Sequence, residues 1–361
     1  MAASYRRAAV ILLNTVVLVI LMEVVAATVL AFRPRVPTWA AMESPYFKER
    51  PWALDYWREL EVMVTRFQYQ PYSLWRMVPF EGRFIRVRPD GLRVTPGATC
   101  DGVTYNVWAF GGSTMWGAGA PDDQTIPAHL QRTLTPILTR PVCVVNFAQL
   151  GFTSTQAVVE LQNELRHRRR PNLVIFYDGV NDIVSAFAYS RAGLHLAYPE
   201  IRRRLESQQL DAPRPPLVDL LRWSSQYRLI TQLLSKPVTA PANAARPDSL
   251  VEDVVATYLE NVRIVVALAG AYGFRAIFFW QPTLAEGEKP LTAIEREIRD
   301  REPLVPFARR VDARLRHVTP GVHNLADVFA RTSSLTYFDW HHTTPEANRI
   351  IAEAIAQAVS K

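Results

Sequence analysis

Five short apolar runs set the frame of this chain: Tyr105 to Phe110, Val142 to Phe147, Leu173 to Tyr177, Arg275 to Trp280, and a shorter one near Val322 to Leu325. Longer segments of helical periodicity alternate with them, roughly 124 to 138, 154 to 168, 251 to 272, 291 to 316 and 345 to 358. A strand that is apolar at nearly every position has no face to offer solvent, so both sides of its sheet must be covered. The pattern predicts an α/β fold with a parallel sheet, right-handed crossovers and helices on both faces. Thr153-Ser154-Thr155-Gln156 reads as a capping box that sets the start of the second helix. Ligands of such sheets collect at the carboxyl ends of the strands, so the chemistry is expected in the loops that follow these runs.

Ahead of the sheet, Ala8 to Phe32 is a run of 25 residues with Glu23 as its only formal charge. At about 1.5 Å per residue, a helix of that length exceeds the ~30 Å hydrocarbon core of a bilayer. An uncleaved transmembrane anchor fits best, with residues 1–7 on the cytoplasmic side. A cleaved signal peptide competes, since Arg6 and Arg7 make a basic start and Ala26-Ala27 supplies small residues. Its apolar region would, however, exceed the usual ~7 to 15 residues. Glu23 inside the span costs about 2.5 to 3.5 kcal/mol if ionised, so it is expected either to be protonated, the simpler choice, or to meet a partner helix. Arg6 and Arg7 flank one end and Arg33, Arg35, Lys48 and Arg50 the other, so charge alone does not set the orientation.

Residues 33–104 are dense in large rings, among them Trp39, Tyr46, Phe47, Trp52, Trp57 and Trp75. That density is too high for a free linker and predicts a stem packed on the domain that follows. Within it Phe84 to Arg88, Pro89-Asp90-Gly91 and Leu92 to Val94 read as a small hairpin. The domain itself covers 105–361. It is interrupted at 183–250 by a stretch containing Pro213, Pro215, Pro216, Pro237 and Pro241, which reads as an irregular insertion forming a lid or a wall.

Lysine plus arginine total 41 against 34 acidic residues, a modest excess of +7. Arg168, Arg169 and Arg170 stand at a helix end before Pro171, where cations complement the helix carbonyls, so they read as a solvated helix end and no nucleic-acid partner is expected. The seven histidines lack metal-ligand spacing, and no phosphate-loop lysine or dinucleotide fingerprint follows the first strand. Neither a metal nor a cofactor is expected. Cys100 lies just before strand one and Cys143 begins strand two. Parallel neighbours are about 4.8 Å apart, so a disulfide is within reach, the alternative being a buried free thiol at Cys143.

Strand one runs into Gly111-Gly112-Ser113-Thr114, strand two into Asn146 to Gly151, and strand three into Asp178-Gly179-Val180-Asn181-Asp182. Asp339-Trp340-His341-His342 precedes the last helix. Singly each of these is ordinary turn or cap chemistry. Together, in this order and each at an element's end, they resemble the SGNH, or GDSL-like, family of serine esterases and lipases. The resemblance covers roughly 105–361 and rests on Gly112-Ser113, Gly151, Gly179-Val180-Asn181-Asp182 and Asp339-x-x-His342. It implies a flavodoxin-like three-layer sandwich with strand order 2-1-3-4-5. It also implies Ser113 as nucleophile, His342 as general base and Asp339 as its orienting partner. The backbone N–H groups of Ser113 and Gly151 and the amide of Asn181 would then be oxyanion donors. The nucleophile block departs from Gly-Asp-Ser-Leu, and Ala148 stands where many relatives have glycine, which leaves the substrate class open.

These roles make chemical sense. A serine hydroxyl becomes nucleophilic when an imidazole within about 2.6 to 3.2 Å takes its proton. Residues three apart on a helical turn lie about 5 to 6 Å apart at Cβ, close enough for Asp339 to set the tautomer of His342. His341 is the alternative base. The chain thus reads as a membrane-anchored serine esterase facing out of the cytoplasmic membrane, its substrate an acyl ester, first of all acetyl, on a carbohydrate or envelope glycan. Two alternatives remain: an O-acetyltransferase acting on an envelope polysaccharide, and a non-catalytic envelope assembly protein.

Overall fold

Alternate residues of each central strand face opposite layers, and both sets are apolar. Val107, Ala109, Val142, Val144, Leu173, Ile175, Ile277 and Phe279 pack into one apolar cluster, and Trp108, Phe110, Val174, Phe176 and Phe278 into another. The second face carries a ladder of rings, Phe147, Phe110, Phe176 and Phe278, with successive centroids 5.1, 5.1 and 5.6 Å apart. Covering both faces is what turns five continuous apolar runs into a sandwich.

The computed structural model describes residues 2–32, 44–64, 66–101, 103–168, 170–209, 224–227, 229, 246–316 and 321–360. In chain order the helices are α1 (Ala2–Phe32), α2 (Pro45–Lys48), α3 (Ala53–Val64), α4 (Ser113–Trp116), α5 (Ile126–Ile137), α6 (Ser154–His167), α7 (Val180–Tyr189), α8 (Tyr198–Gln209), α9 (Asp248–Tyr272), α10 (Ala293–Arg301), α11 (Val305–Arg316) and α12 (Pro345–Val359). The strands are β1 (Phe67–Gln70), β2 (Leu74–Met77), β3 (Phe80–Glu81), β4 (Arg86–Val87), β5 (Tyr105–Gly111), β6 (Val142–Asn146), β7 (Leu173–Asp178), β8 (Arg275–Trp280) and β9 (Val322–Asn324). Residues 1–38 and 199–239 form one compact unit, and 39–198 with 240–361 the other.

In the larger unit the five-stranded sheet has the order β6-β5-β7-β8-β9, all parallel, which is the expected 2-1-3-4-5. α5 and α12 cover one face and α6 and α9 the other. The periodic segment 291–316 is two helices rather than one. The chain leaves the helix at Glu302 (ψ 114°), because the residue before Pro303 is driven out of the helical region. The stretch read as irregular from residue 183 begins inside α7, where Val180, Ile183 and Ala186 form one buried stripe, and it later carries α8. Pro213, Pro215, Pro216, Pro237 and Pro241 lie outside the described residues, as do Arg33, Arg35, Trp39 and Arg169.

Many of the aromatics of 44–104 are core residues of the same unit, whereas Phe67, Tyr69 and Tyr72 are exposed. Tyr46, Phe47, Tyr56, Trp57, Leu60 and Met63 join the cluster that holds Met115 and Trp116. The hairpin is seen in its bonds, with Val87 bridging Arg93 and Arg88 N–H donating to the Leu92 carbonyl. Arg168 is not a solvated helix end: its guanidinium pairs with Glu164 and Asp90, binding that hairpin to α6. Cys100 and Cys143 form a disulfide, with Cα atoms 5.2 Å apart.

In the smaller unit, Tyr5–Leu30 of α1 is long and apolar enough to cross a membrane, with a mean hydropathy of 2.6. α9 passes the same length and composition test, but its Leu250, Val251, Val254 and Tyr258 are buried within its own unit. Glu23 has hydrogen-bond partners within its own unit. Its carboxylate accepts the Ser224 hydroxyl at 2.7 Å and the backbone N–H groups of Ser225 and Gln226, while the Gln226 amide donates to the Val19 carbonyl at 2.9 Å. Three donors within its own unit thus satisfy this carboxyl group.

Candidate active site

β5 ends at Gly111 and the chain turns at Gly112 into α4, which makes Ser113 the first residue of a helix. Its backbone N–H therefore lacks an intrahelical acceptor. Its Oγ lies 2.7 Å from Nε2 of His342. Nδ1 of His342 lies 2.6 Å from Oδ2 of Asp339. The other Asp339 oxygen, Oδ1, accepts the backbone N–H groups of His341 at 2.9 Å and His342 at 2.6 Å. One carboxylate oxygen thus shapes the loop while the other faces the imidazole. Burial alone would raise the Asp339 pKa, but the neighbouring His342 and His341 and these hydrogen bonds outweigh it and hold the carboxyl well below its usual range.

The Asp339–His342 segment is not a helical turn. It is a tight loop closed by the Tyr337 to Thr343 bridge and by the Phe338 N–H donating to the His342 carbonyl at 3.2 Å. Thr344, not Asp339, caps α12, its hydroxyl accepting the Ala347 N–H. The Phe338 ring lies parallel to the His342 imidazole, centroids 5.6 Å apart. His341 points elsewhere. Its ring packs on Trp340 and His342, its Nδ1 stands 3.5 Å from Asp339, and burial pushes its pKa down to about 3. Of the two histidines, His342 is the one against Ser113.

The three expected oxyanion donors come together at the same edge. The Asn181 amide donates to the Phe152 carbonyl at 2.8 Å with one N–H and has a second to offer. A Cβ on residue 112 would stand 2.3 Å from the Asn181 nitrogen, so this amide lies against the backbone directly before Ser113. Gly151 holds φ +77°, a left-handed conformation that glycine adopts without strain, and its N–H has no partner among the described residues. Asp182, at the end of the same block, serves structure: it accepts the Ser154 N–H at 3.0 Å and hydroxyl at 2.6 Å, and burial lifts its pKa to about 6. Nitrogen and oxygen atoms of Asp339, His341 and His342 lie within 4.8 Å of one another, close enough to share a metal ion. Both His342 nitrogens already face Asp339 and Ser113, and a metal on either would displace one of them.

Four residues that hold the site gave no motif signal. Buried Arg93 donates to the Gly117 and Ala120 carbonyls, both at 2.7 Å, and to Asp122 at 2.9 Å. The Tyr56 hydroxyl accepts the Gly119 N–H at 2.8 Å. Gln149 accepts the Met77 N–H at 3.0 Å and donates to the Gly91 carbonyl at 3.1 Å. Phe338 stacks on the His342 ring. Only the aromatic density of the stem hinted that 44–104 has work at this edge.

The model of the GDSL-like lipase/acylhydrolase family matches residues 107–355. The chain belongs to that family. It is an enzyme of the serine ester hydrolase type, and its sheet order is the one the resemblance implies. No curated protein matches the sequence. Among solved structures it is similar to a member of the lipolytic G-D-S-L family from Veillonella parvula DSM 2008 (10% identity, 71% of this chain and 98% of that chain, TM-score 0.38). It is also similar to the lipase Lip_vut3 from a goat rumen metagenome (11%, 71% and 97%, 0.39) and to the acetyl xylan esterase AlAXEase (13%, 70% and 99%, 0.37).

Proposed function

We propose that this family member is a membrane-anchored esterase that removes short acyl groups, acetyl first, from a carbohydrate on the outer side of the cytoplasmic membrane. The observation that carries the catalytic part is the continuous chain Ser113 Oγ, His342 and Asp339, with contacts of 2.7 and 2.6 Å. His342 Nε2 takes the Ser113 proton as Oγ attacks the ester carbonyl, and Asp339 stabilises the imidazolium that results. The carbonyl oxygen gains negative charge, and the N–H groups of Ser113, Gly151 and Asn181 are the donors assigned to it. Each such donor is worth about 2.7 to 4 kcal/mol in the transition state. The imidazolium then returns its proton to the leaving alcohol, leaving an acyl-serine. Water, deprotonated by the same His342, attacks the acyl carbon, releases the acid and restores Ser113. α1 and the Cys100–Cys143 bond support an anchored, extracytoplasmic domain, since disulfides persist in oxidising compartments.

The test is hydrolysis of p-nitrophenyl acetate and of an O-acetylated oligosaccharide by the wild type and by Ser113→Ala. Acetate release by the wild type only is expected. More than a few per cent of activity in Ser113→Ala would remove Ser113 from the mechanism. Acetyl groups recovered on an added glycan rather than as acetate would make the enzyme a transferase.

A further inference from the structure

We propose that a cleft of about 610 Å³ between the stem and the loop after α4 is a saccharide subsite; the assignment rests on the carbohydrate-ester function proposed above and names where the sugar binds. The cleft's volume falls in the range of ligand sites, about 300 to 1,000 Å³. Trp52 and Phe84 line it, half-buried, with ring centroids 6.4 Å apart and planes tilted by 44°. Glu81, Arg83, Asp123 and Gln124 also line it, and none of their side chains has a hydrogen-bond partner among the described residues. The Arg83 guanidinium lies 5.0 Å from the centre of the Phe84 ring.

This combination selects the ligand's chemistry. An apolar ligand would bury Glu81, Arg83 and Asp123 without partners, which is costly. An anion would meet two carboxylates. A pyranose offers C–H faces to the rings and a dense set of neutral hydroxyls, each both donor and acceptor, to the charged rim. The site is also stiff before anything binds, which lowers the cost of binding. Glu59 accepts the backbone N–H groups of Arg83, Phe84 and Ile85 at 2.7, 3.0 and 3.0 Å, fixing the loop that presents them. Asp122 at the floor is held by Arg86 and Arg93. Arg93 in turn grips the Gly117 and Ala120 carbonyls directly after α4, so the floor and the segment carrying Ser113 share one anchor. A sugar seated here rests on a floor tied through Arg93 to the segment that follows Ser113.

The experiment uses the full chain in detergent and compares kcat/KM on chemically O-acetylated xylohexaose with kcat/KM on p-nitrophenyl acetate. In Trp52→Ala and in Asp123→Ala the ratio of the two falls about tenfold, the loss expected for one stacking or charged hydrogen-bond contact. Asp123 is exposed, so its variant carries the test if Trp52→Ala fails to fold. Equilibrium binding of unmodified xylohexaose, cellohexaose and chitohexaose to Ser113→Ala, with and without Trp52→Ala, gives a readout independent of turnover. Hydrolysis of p-nitrophenyl acetate with an unchanged ratio, or with no Trp52-dependent sugar binding, overturns the subsite alone. Trp52-dependent sugar binding without hydrolysis of either ester overturns the esterase function and leaves the subsite standing. Binding of a hexapeptide pool in preference to the sugars would give the cleft to a peptide and overturn the assignment.

Discussion

Asp339→Asn separates the two duties of this carboxylate. Oδ1 accepts both loop N–H groups, at 2.9 and 2.6 Å, and Oδ2 alone faces His342 Nδ1, at 2.6 Å. An asparagine that places its carbonyl at Oδ1 keeps both backbone bonds and so keeps the loop. Its NH₂ then occupies the Oδ2 position and donates to Nδ1, which forces the imidazole proton onto Nε2, 2.7 Å from the Ser113 oxygen. In that tautomer His342 has no lone pair for the serine proton, and no carboxylate remains to stabilise an imidazolium. The expected loss in kcat is about 10⁴-fold, or about 5.4 kcal/mol of barrier at 1.36 kcal/mol per decade. Steady-state hydrolysis of p-nitrophenyl acetate measures it, and far-ultraviolet circular dichroism checks that the fold is kept. A folded variant that loses less than tenfold would show that Asp339 does not set the His342 tautomer, and the relay drawn from these distances would fail.

Asn181→Ala lowers kcat about 10² to 10³-fold with a smaller effect on KM, because its free N–H matters most when the carbonyl oxygen is charged; a change confined to KM would make it a substrate-binding group. Arg76→Met removes the cation that bonds the fully buried Glu160 at 2.7 Å and also pairs with Glu164, and it costs about 3 to 5 kcal/mol in urea unfolding at pH 7. Burial already raises the Glu160 pKa against the pull of Arg76, and without Arg76 it rises further. A carboxyl with a raised folded pKa stabilises the fold at low pH and loses that contribution as pH rises. The deficit of the variant therefore shrinks on going from pH 7 to pH 5, and a deficit that grew would contradict this account. Reducing the disulfide, which closes a loop of sequence separation 43, costs about 4 kcal/mol on the chain-entropy estimate. Labelling of the denatured, unreduced protein should find no reactive thiol, and two would disprove the bond.

Fold class and reactive residue types were legible because both depend on local information. A strand with apolar residues on both faces belongs to a covered sheet, and β5 to β8 show that pattern within single runs of five to seven residues. The order 2-1-3-4-5 did not come from periodicity. It came from the family resemblance, since pairing order is a long-range property. The single helix read over 291–316 failed at Pro303, whose steric effect on Glu302 outweighed the periodicity around it. Arg168 was read as a helix-end cation and is one, but its partner Asp90 lies 78 residues back, beyond any local pattern. Glu23 gives the same lesson over a separation of 201 residues, where Ser224 supplies a donor that no reading of the apolar run could supply.

The sequence by itself determined which groups are available: a serine on a glycine turn, an Asp-x-x-His segment, a glycine and an asparagine at strand ends, a 25-residue apolar run, and a stem too aromatic to stay in water. Tertiary structure alone decided which of them meet. Ser113 and His342 are 229 residues apart, and closing that distance to 2.7 Å depends on the parallel sheet, on α12 packing against α5, and on the loop held by Asp339. It also decided that His342 and not His341 reaches the serine, that the Asn181 amide lies against Gly112, and that Arg93, Tyr56 and Gln149 tie the stem to the edge that carries Ser113. The physical reason is that residue chemistry and helix or strand period are local properties. A contact between distant residues is set by the packing of whole layers, which must repay the chain entropy of bringing them together.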